Sequence, residues 1–80
     1  MAVEFWTIAP VLDTTQNGKS KHYGDIREGL MIPPVRLGRR KKGYPRHEVQ
    51  AINAARLRGA SDEEIRQLVR QLIEQRRAAA

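Results

Sequence analysis

The eighty residues hold two histidines, His22 and His47, and no cysteine, so few side chains are equipped for catalysis or metal binding. A zinc site would need those two separated imidazoles plus carboxylates, whereas structural zinc draws on clusters of Cys and His. The lack of cysteine also removes disulfides and thiol redox chemistry. Ser20 stands two residues before His22, the residue types of a nucleophile and its base. No orienting acid and no oxyanion donors accompany them, so the chain reads as a non-enzyme. What remains is the ionic chemistry of Lys and Arg. Fifteen basic residues face nine acidic ones, net +6 with pI near 10.5, a balance that points to a polyanionic partner.

That charge is concentrated. Residues 1–18 carry only Glu4 and Asp13, and residues 47–80 are nearly balanced. Between them lie Lys19, Lys21, Arg27, Arg36, Arg39, Arg40, Lys41, Lys42 and Arg46 against Asp25 and Glu28. The run Arg39-Arg40-Lys41-Lys42 sits between Gly38 and Gly43. Four adjacent cations repel one another, and phosphates relieve that repulsion while releasing condensed counterions. A solvated loop or a nuclear-import address is the plainer meaning of such a run.

The elements that must position these charges can be read from periodicity. At the C-terminal end, Ser61-Asp62-Glu63-Glu64 has the form of a capping box. Ile65, Leu68, Val69, Leu72 and Ile73 then recur at helical spacing, which predicts a helix over 61–77 with Asp62 placed to pair with Arg66. Gly59 closes an earlier helix over 45–58, in which Pro45 suits the first turn and Glu48, Val49, Ile52 and Ala55 keep the period. Val35, Arg36 and Leu37 alternate as a short strand does, with Gly43 and Tyr44 as its return. The basic run would be the tip of a two-stranded hairpin over 35–44, with Gly38 and Gly43 supplying the turn angles. Further toward the N-terminus, Ala9–Asp13 reads as a short helix and 15–18 as a turn. A second helix follows from about Gly18 to Glu28, stopped by Gly29, although Gly24 within it costs about 1 kcal/mol relative to Ala.

Short helix, turn, basic helix, hairpin and helix form the plan of a winged helix-turn-helix, a mainly α single domain spanning 1–80 with the helix-turn-helix at 9–30. A helix fits the major groove and can offer side chains to bases and amides to phosphate. The expected DNA-facing residues of the second helix are Gly18, Lys19, Ser20, Lys21, His22 and Arg27. Those of the hairpin are Arg36, Arg39, Arg40, Lys41 and Lys42, poised over a flanking backbone or a narrow minor groove. Tyr23, Ile26, Leu30, Val11, Leu12, Val35, Leu37, Tyr44, Val49 and Ile52 are expected in the core. Phe5 and Trp6 would cover its edge or sit in an interface. The stripe Ile65, Leu68, Val69, Leu72, Ile73 would pack on its own domain or on a neighbouring copy, with Arg76 and Arg77 as further phosphate contacts.

Residues 10–52 resemble, without gaps, the AlpA-type regulators and related small excisionases, which carry a MerR-like winged helix-turn-helix. The likeness is carried by Pro10-Val11-Leu12, Thr15 through Tyr23, Ile26-Arg27-Glu28-Gly29, Pro34-Val35-Arg36-Leu37-Gly38, Lys42-Gly43-Tyr44 and Glu48-Val49. The family's Leu and Ser in the turn are here Asn17 and Gly18, and its Thr and Ile in the helix are Lys21 and His22. The resemblance implies a cofactor-free, double-stranded-DNA-binding protein of a mobile element or prophage. As an excisionase it would bind and bend attachment-site DNA, often as adjacent copies associating head to tail, so that a partner integrase favours excision. A transcriptional regulator of an integrase or prophage operon would use the same surface. The composition also suits a basic RNA-binding adaptor, or an interaction protein working through its last helix.

No apolar run approaches the roughly 20 residues of a membrane span, and the N-terminal MAVEFWTIAPVL lacks the basic start of a signal peptide. The expectation is a cytoplasmic protein associated with a bacterial nucleoid.

Overall fold

The computed structural model describes residues 2–78. In chain order it contains β1 (Phe5–Trp6), α1 (Ile8–Thr15), α2 (Lys19–Arg27), β2 (Val35–Arg36), β3 (Lys42–Pro45), α3 (Arg46–Leu57) and α4 (Asp62–Ala78). The architecture is mainly helical, with a small antiparallel sheet of strand order β1-β3-β2.

Three helices end in the same way. At α1 the amide of Gln16 donates to the Asp13 carbonyl and that of Asn17 to the Leu12 carbonyl. Gly29 and Leu30 repeat the pattern on Ile26 and Asp25, and Gly59 and Ala60 on Arg56 and Ala55. This is the Schellman arrangement, which needs one left-handed residue. Gly29 (φ 75°) and Gly59 (φ 80°) provide it freely, and Gln16 (φ 59°) adopts it while its side-chain amide donates to the Asp13 carbonyl at 2.6 Å. The expected capping box of α4 is present: the Ser61 hydroxyl accepts from the Glu64 amide, and the Glu64 carboxylate accepts from the Ser61 amide. The Ser61 amide, and after it the Ser61 hydroxyl, hold the Glu64 carboxyl below its ordinary range.

The core is built from Val11, Leu30, Met31, Ile32, Tyr44, Val49, Ile52, Ala55, Ile65, Val69 and Leu72. Leu68 and Ile73 pack on it as well. The apolar stripe of α4, expected on its own domain or on a neighbouring copy, packs on its own domain, with Ile65, Val69 and Leu72 buried and Leu68 and Ile73 partly so. Burying each such side chain contributes roughly 1.5–3 kcal/mol. Arg76, expected on phosphate, instead pairs with the buried Glu48 carboxylate (Nε to Oε2, 2.9 Å) and donates to the Pro33 carbonyl at 2.8 Å. It fastens the last turns of α4 to the start of α3. Arg66 reaches the Glu28 carbonyl at 2.9 Å, and Asp62 lies 3.5 Å from Arg56, so the expected Asp62–Arg66 pair is replaced by contacts between elements.

The hairpin over 35–44 is part of a three-stranded sheet rather than a two-stranded one. Phe5 pairs with Pro45 and Trp6 with Tyr44, while Val35 pairs with Gly43 and Arg36 with Lys42. The Glu4 carbonyl accepts from the Arg46 amide at 2.8 Å, and the Glu4 carboxylate pairs with the Arg46 guanidinium at 2.8 Å. Gly38 and Gly43 do not have positive φ, so neither serves as the left-handed turn residue. Gly43 is required by crowding instead: a Cβ there would stand 2.6 Å from Leu37 Cδ1 and 2.9 Å from Phe5 Cβ. Among the described residues no helix is long and apolar enough to cross a membrane.

Candidate nucleic-acid interface

α2 follows α1 after the three residues 16–18, with Gly18 in extended conformation at its N-cap and no side-chain cap. Lys19, Ser20, Lys21, Tyr23 and Arg27 are exposed on it, while His22 and Asp25 are buried. Ser20, Tyr23 and Arg27, with Gly24 among them, fall at i, i+3, i+4 and i+7 and so share one face. A Cβ on Gly24 would meet only the Arg27 guanidinium, at 3.8 Å, so the backbone of that face is open to close approach.

His22 was expected on the DNA-facing side and is instead fully buried. Its Nε2 hydrogen-bonds with the Tyr44 hydroxyl at 3.0 Å, and the two rings meet edge to face at 5.2 Å. Burial lowers the imidazole pKa, which the nearby Asp25 carboxylate only partly opposes. Burial also raises the Tyr44 pKa, with Tyr23 adding to the effect. Both groups are therefore held neutral. This pair ties α2 to the middle strand of the sheet, and it replaces the aromatic-to-core contact expected of Tyr23, which is 46% exposed. Of Tyr23, Ile26 and Leu30, Leu30 is in the core and Ile26 packs against it, and Tyr23 alone turns outward, its inward place taken by His22, a polar side chain that hydropathy does not register. A signal did exist: a buried tyrosine needs a partner for its hydroxyl, and His22 is a polar residue within reach.

Lys21 donates to both oxygens of Asp25, at 2.8 and 3.0 Å, so its charge is met within the helix. Lys19 and Arg27 have no carboxylate within 4.0 Å among the described residues.

The hairpin is braced at its tip. The amides of Leu37 and Gly38 both donate to the Lys41 carbonyl, at 2.8 and 3.2 Å. Arg36 donates to the carbonyls of Gly38 and Arg39, at 3.3 and 3.4 Å, so part of its hydrogen-bonding capacity orders the loop. Arg39, Arg40, Lys41 and Lys42 are exposed and have no carboxylate partner among the described residues. Residues paired across an antiparallel sheet share a face, and faces alternate along each strand. Arg36 and Lys42 therefore lie on the same face as Tyr44, the side on which α2 packs. The basic hairpin and the exposed face of α2 are thus held in fixed relation by the His22–Tyr44 contact.

No group of three or more His, Asp or Glu side chains is placed to hold a metal ion among the described residues. No family model, no curated protein and no solved structure matches this chain.

Proposed function

We propose that this chain is a sequence-specific double-stranded-DNA-binding protein of the winged helix-turn-helix kind. The observation that carries the reading is the joint placement of α2 and the hairpin. An uncapped helix with Lys19, Ser20, Tyr23 and Arg27 outward is tied through His22 and Tyr44 to a hairpin tipped by four unpaired cations. The helix enters the major groove, where Lys19, Ser20 and Tyr23 meet base edges or phosphates, and Arg39 to Lys42 hold the flanking backbone. The resemblance of residues 10–52 to the AlpA-type regulators and small excisionases supports the further step. The protein acts as an excisionase that bends attachment-site DNA and so directs a partner integrase to excision. Bending a site of 20–30 base pairs costs on the order of 1–6 kcal/mol, repaid by contacts along the bent path.

Selection of binding sites from randomised duplex DNA, followed by gel-shift titration with RNA competitor, tests this. Enriched short direct repeats with stepwise shifts support the excisionase. A single motif or an inverted pair assigns the same surface to a transcriptional regulator. Failure to enrich any sequence, with RNA competing as well as duplex DNA, overturns both.

A further inference from the structure

Gly24 is the one glycine inside a helix, and nothing within the fold requires it there. Its φ is not positive, unlike those of Gly29 and Gly59. A Cβ on it would meet only the Arg27 guanidinium, at an ordinary contact distance of 3.8 Å, whereas a Cβ on Gly43 would collide with Leu37 and Phe5. Glycine is the poorest helix former after proline, so α2 would be more stable with alanine at this partly exposed position. What glycine does supply is the absence of bulk, which lets a partner come closer to the backbone of α2 than any side chain would allow. The charge around this gap has one sign. Arg27 reaches back toward Gly24, is exposed, and has no carboxylate within 4.0 Å among the described residues. The neighbouring acids are already engaged: Asp25 is buried and bound by Lys21 at 2.8 Å, and the Glu28 carboxylate lies 4.0 Å from Arg66. Ser20 and Tyr23, exposed on the same face, add two hydroxyl donors.

We infer that, given the duplex-DNA reading proposed above, the gap at Gly24 is where the sugar–phosphate backbone comes closest to α2, with Arg27 holding the phosphate. A guanidinium forks onto phosphate oxygens and hydroxyls donate to them, so every polar group bordering the gap suits an oxyanion. Position along the helix favours the strand backbone over a base edge. Arg27 is the last residue of α2, and a helix laid in the major groove meets base edges with its N-terminal residues, which leaves its later turn beside the strand. Arg27 also folds back along the helix instead of extending from it, so it meets what arrives at the helix surface. A side chain at position 24 would stand between that guanidinium and the phosphate, which is the reason for glycine in a helix that would be firmer without it.

The test compares Gly24→Ala and Gly24→Leu with the wild type by thermal melting and by anisotropy titration on two duplexes, a selected site and an unrelated sequence. Both variants should melt higher than the wild type, Gly24→Ala by roughly 4–8 °C. Both should bind the two duplexes more weakly, Gly24→Leu by about tenfold on each, since a lost phosphate contact weakens binding evenly across sequences. Leu adds neither charge nor a hydrogen-bonding group, so its effect is one of bulk. Because that bulk displaces the phosphate from Arg27, Gly24→Leu and Arg27→Ala should each flatten the salt slope by about one, and the double variant should lose no more than the weaker single one. Unchanged affinity in Gly24→Leu, or losses that add in the double variant, would overturn the inference and leave the DNA reading standing. A loss confined to the selected site would do the same and assign the gap to a base edge. A melting temperature that fails to rise in Gly24→Ala would overturn it too, by showing that the fold itself needs the glycine. A wild type that binds neither duplex would remove the DNA reading and this inference with it.

Discussion

His22 and Tyr23 are neighbours with opposite duties, and the difference decides what each substitution does. His22→Ala removes the partner of the buried Tyr44 hydroxyl, which costs about 1–3 kcal/mol for the orphaned group before any cavity is counted. Tyr23→Ala touches an exposed side chain and should change stability by no more than about 0.5 kcal/mol. It should weaken duplex DNA binding by about 1 kcal/mol or more. Chemical denaturation and anisotropy titration on both variants check this, and a Tyr23→Ala protein that unfolds more easily than His22→Ala would contradict it. Because burial depresses the His22 pKa below the ordinary 6.5, the unfolded chain binds the proton more readily than the folded one. The stability this group contributes is complete above pH 6.5 and is lost as pH falls through the folded value. Thermal midpoints measured from pH 7.5 to 5.5 should fall in the wild type and fall less in His22→Gln, which keeps a partner for Tyr44. Equal slopes would remove His22 as the cause.

At the scale of elements, α4 shows how much of the fold is legible in local pattern. Its capping box and its stripe both stand in the sequence, and the helix forms where they place it. Its partners do not stand there. That Ile65, Val69 and Leu72 close the core while Arg76 reaches Glu48, 28 residues away, is a tertiary fact that periodicity cannot supply. The same limit explains β1. Two residues, Phe5 and Trp6, carry too little alternation to signal a strand, and their pairing with β3 depends on contacts some 40 residues distant. It explains Met31 and Ile32 too, which are buried in a connection with no period to mark them. Arg76→Ala leaves the Glu48 carboxylate buried without its counter-charge. Because Arg76 keeps some water contact, the loss should lie near the low end of the roughly 3–5 kcal/mol typical of broken buried pairs. Urea unfolding measures it, and a change under about 1 kcal/mol would show that Glu48 finds another partner.

Over the whole molecule, most of the unpaired cations among the described residues lie on α2 and the hairpin, Arg58 and Arg77 being the others. The cations of α2 and of the hairpin tip lie uncompensated, apart from Lys21, while Arg46, Arg56, Arg66, Arg70 and Arg76 are paired with carboxylates on the other elements. The sequence places the basic excess in residues 19–46, and the structure holds much of it exposed on α2 and the hairpin. The periodicity exchanged His22, which turns inward, with Tyr23, which turns outward, because the residue that locks the helix in place is itself polar. The proposed DNA grip requires α2 and the hairpin to act together, and the most direct test is the salt dependence of duplex binding. With about five phosphates engaged, the logarithm of the binding constant should fall against the logarithm of salt with a slope of roughly −4 to −5. Replacing Arg39 and Arg40 by Ala should flatten that slope by about 2, one for each lost contact. A wild-type slope near zero, or a slope unmoved by the double substitution, would contradict the account.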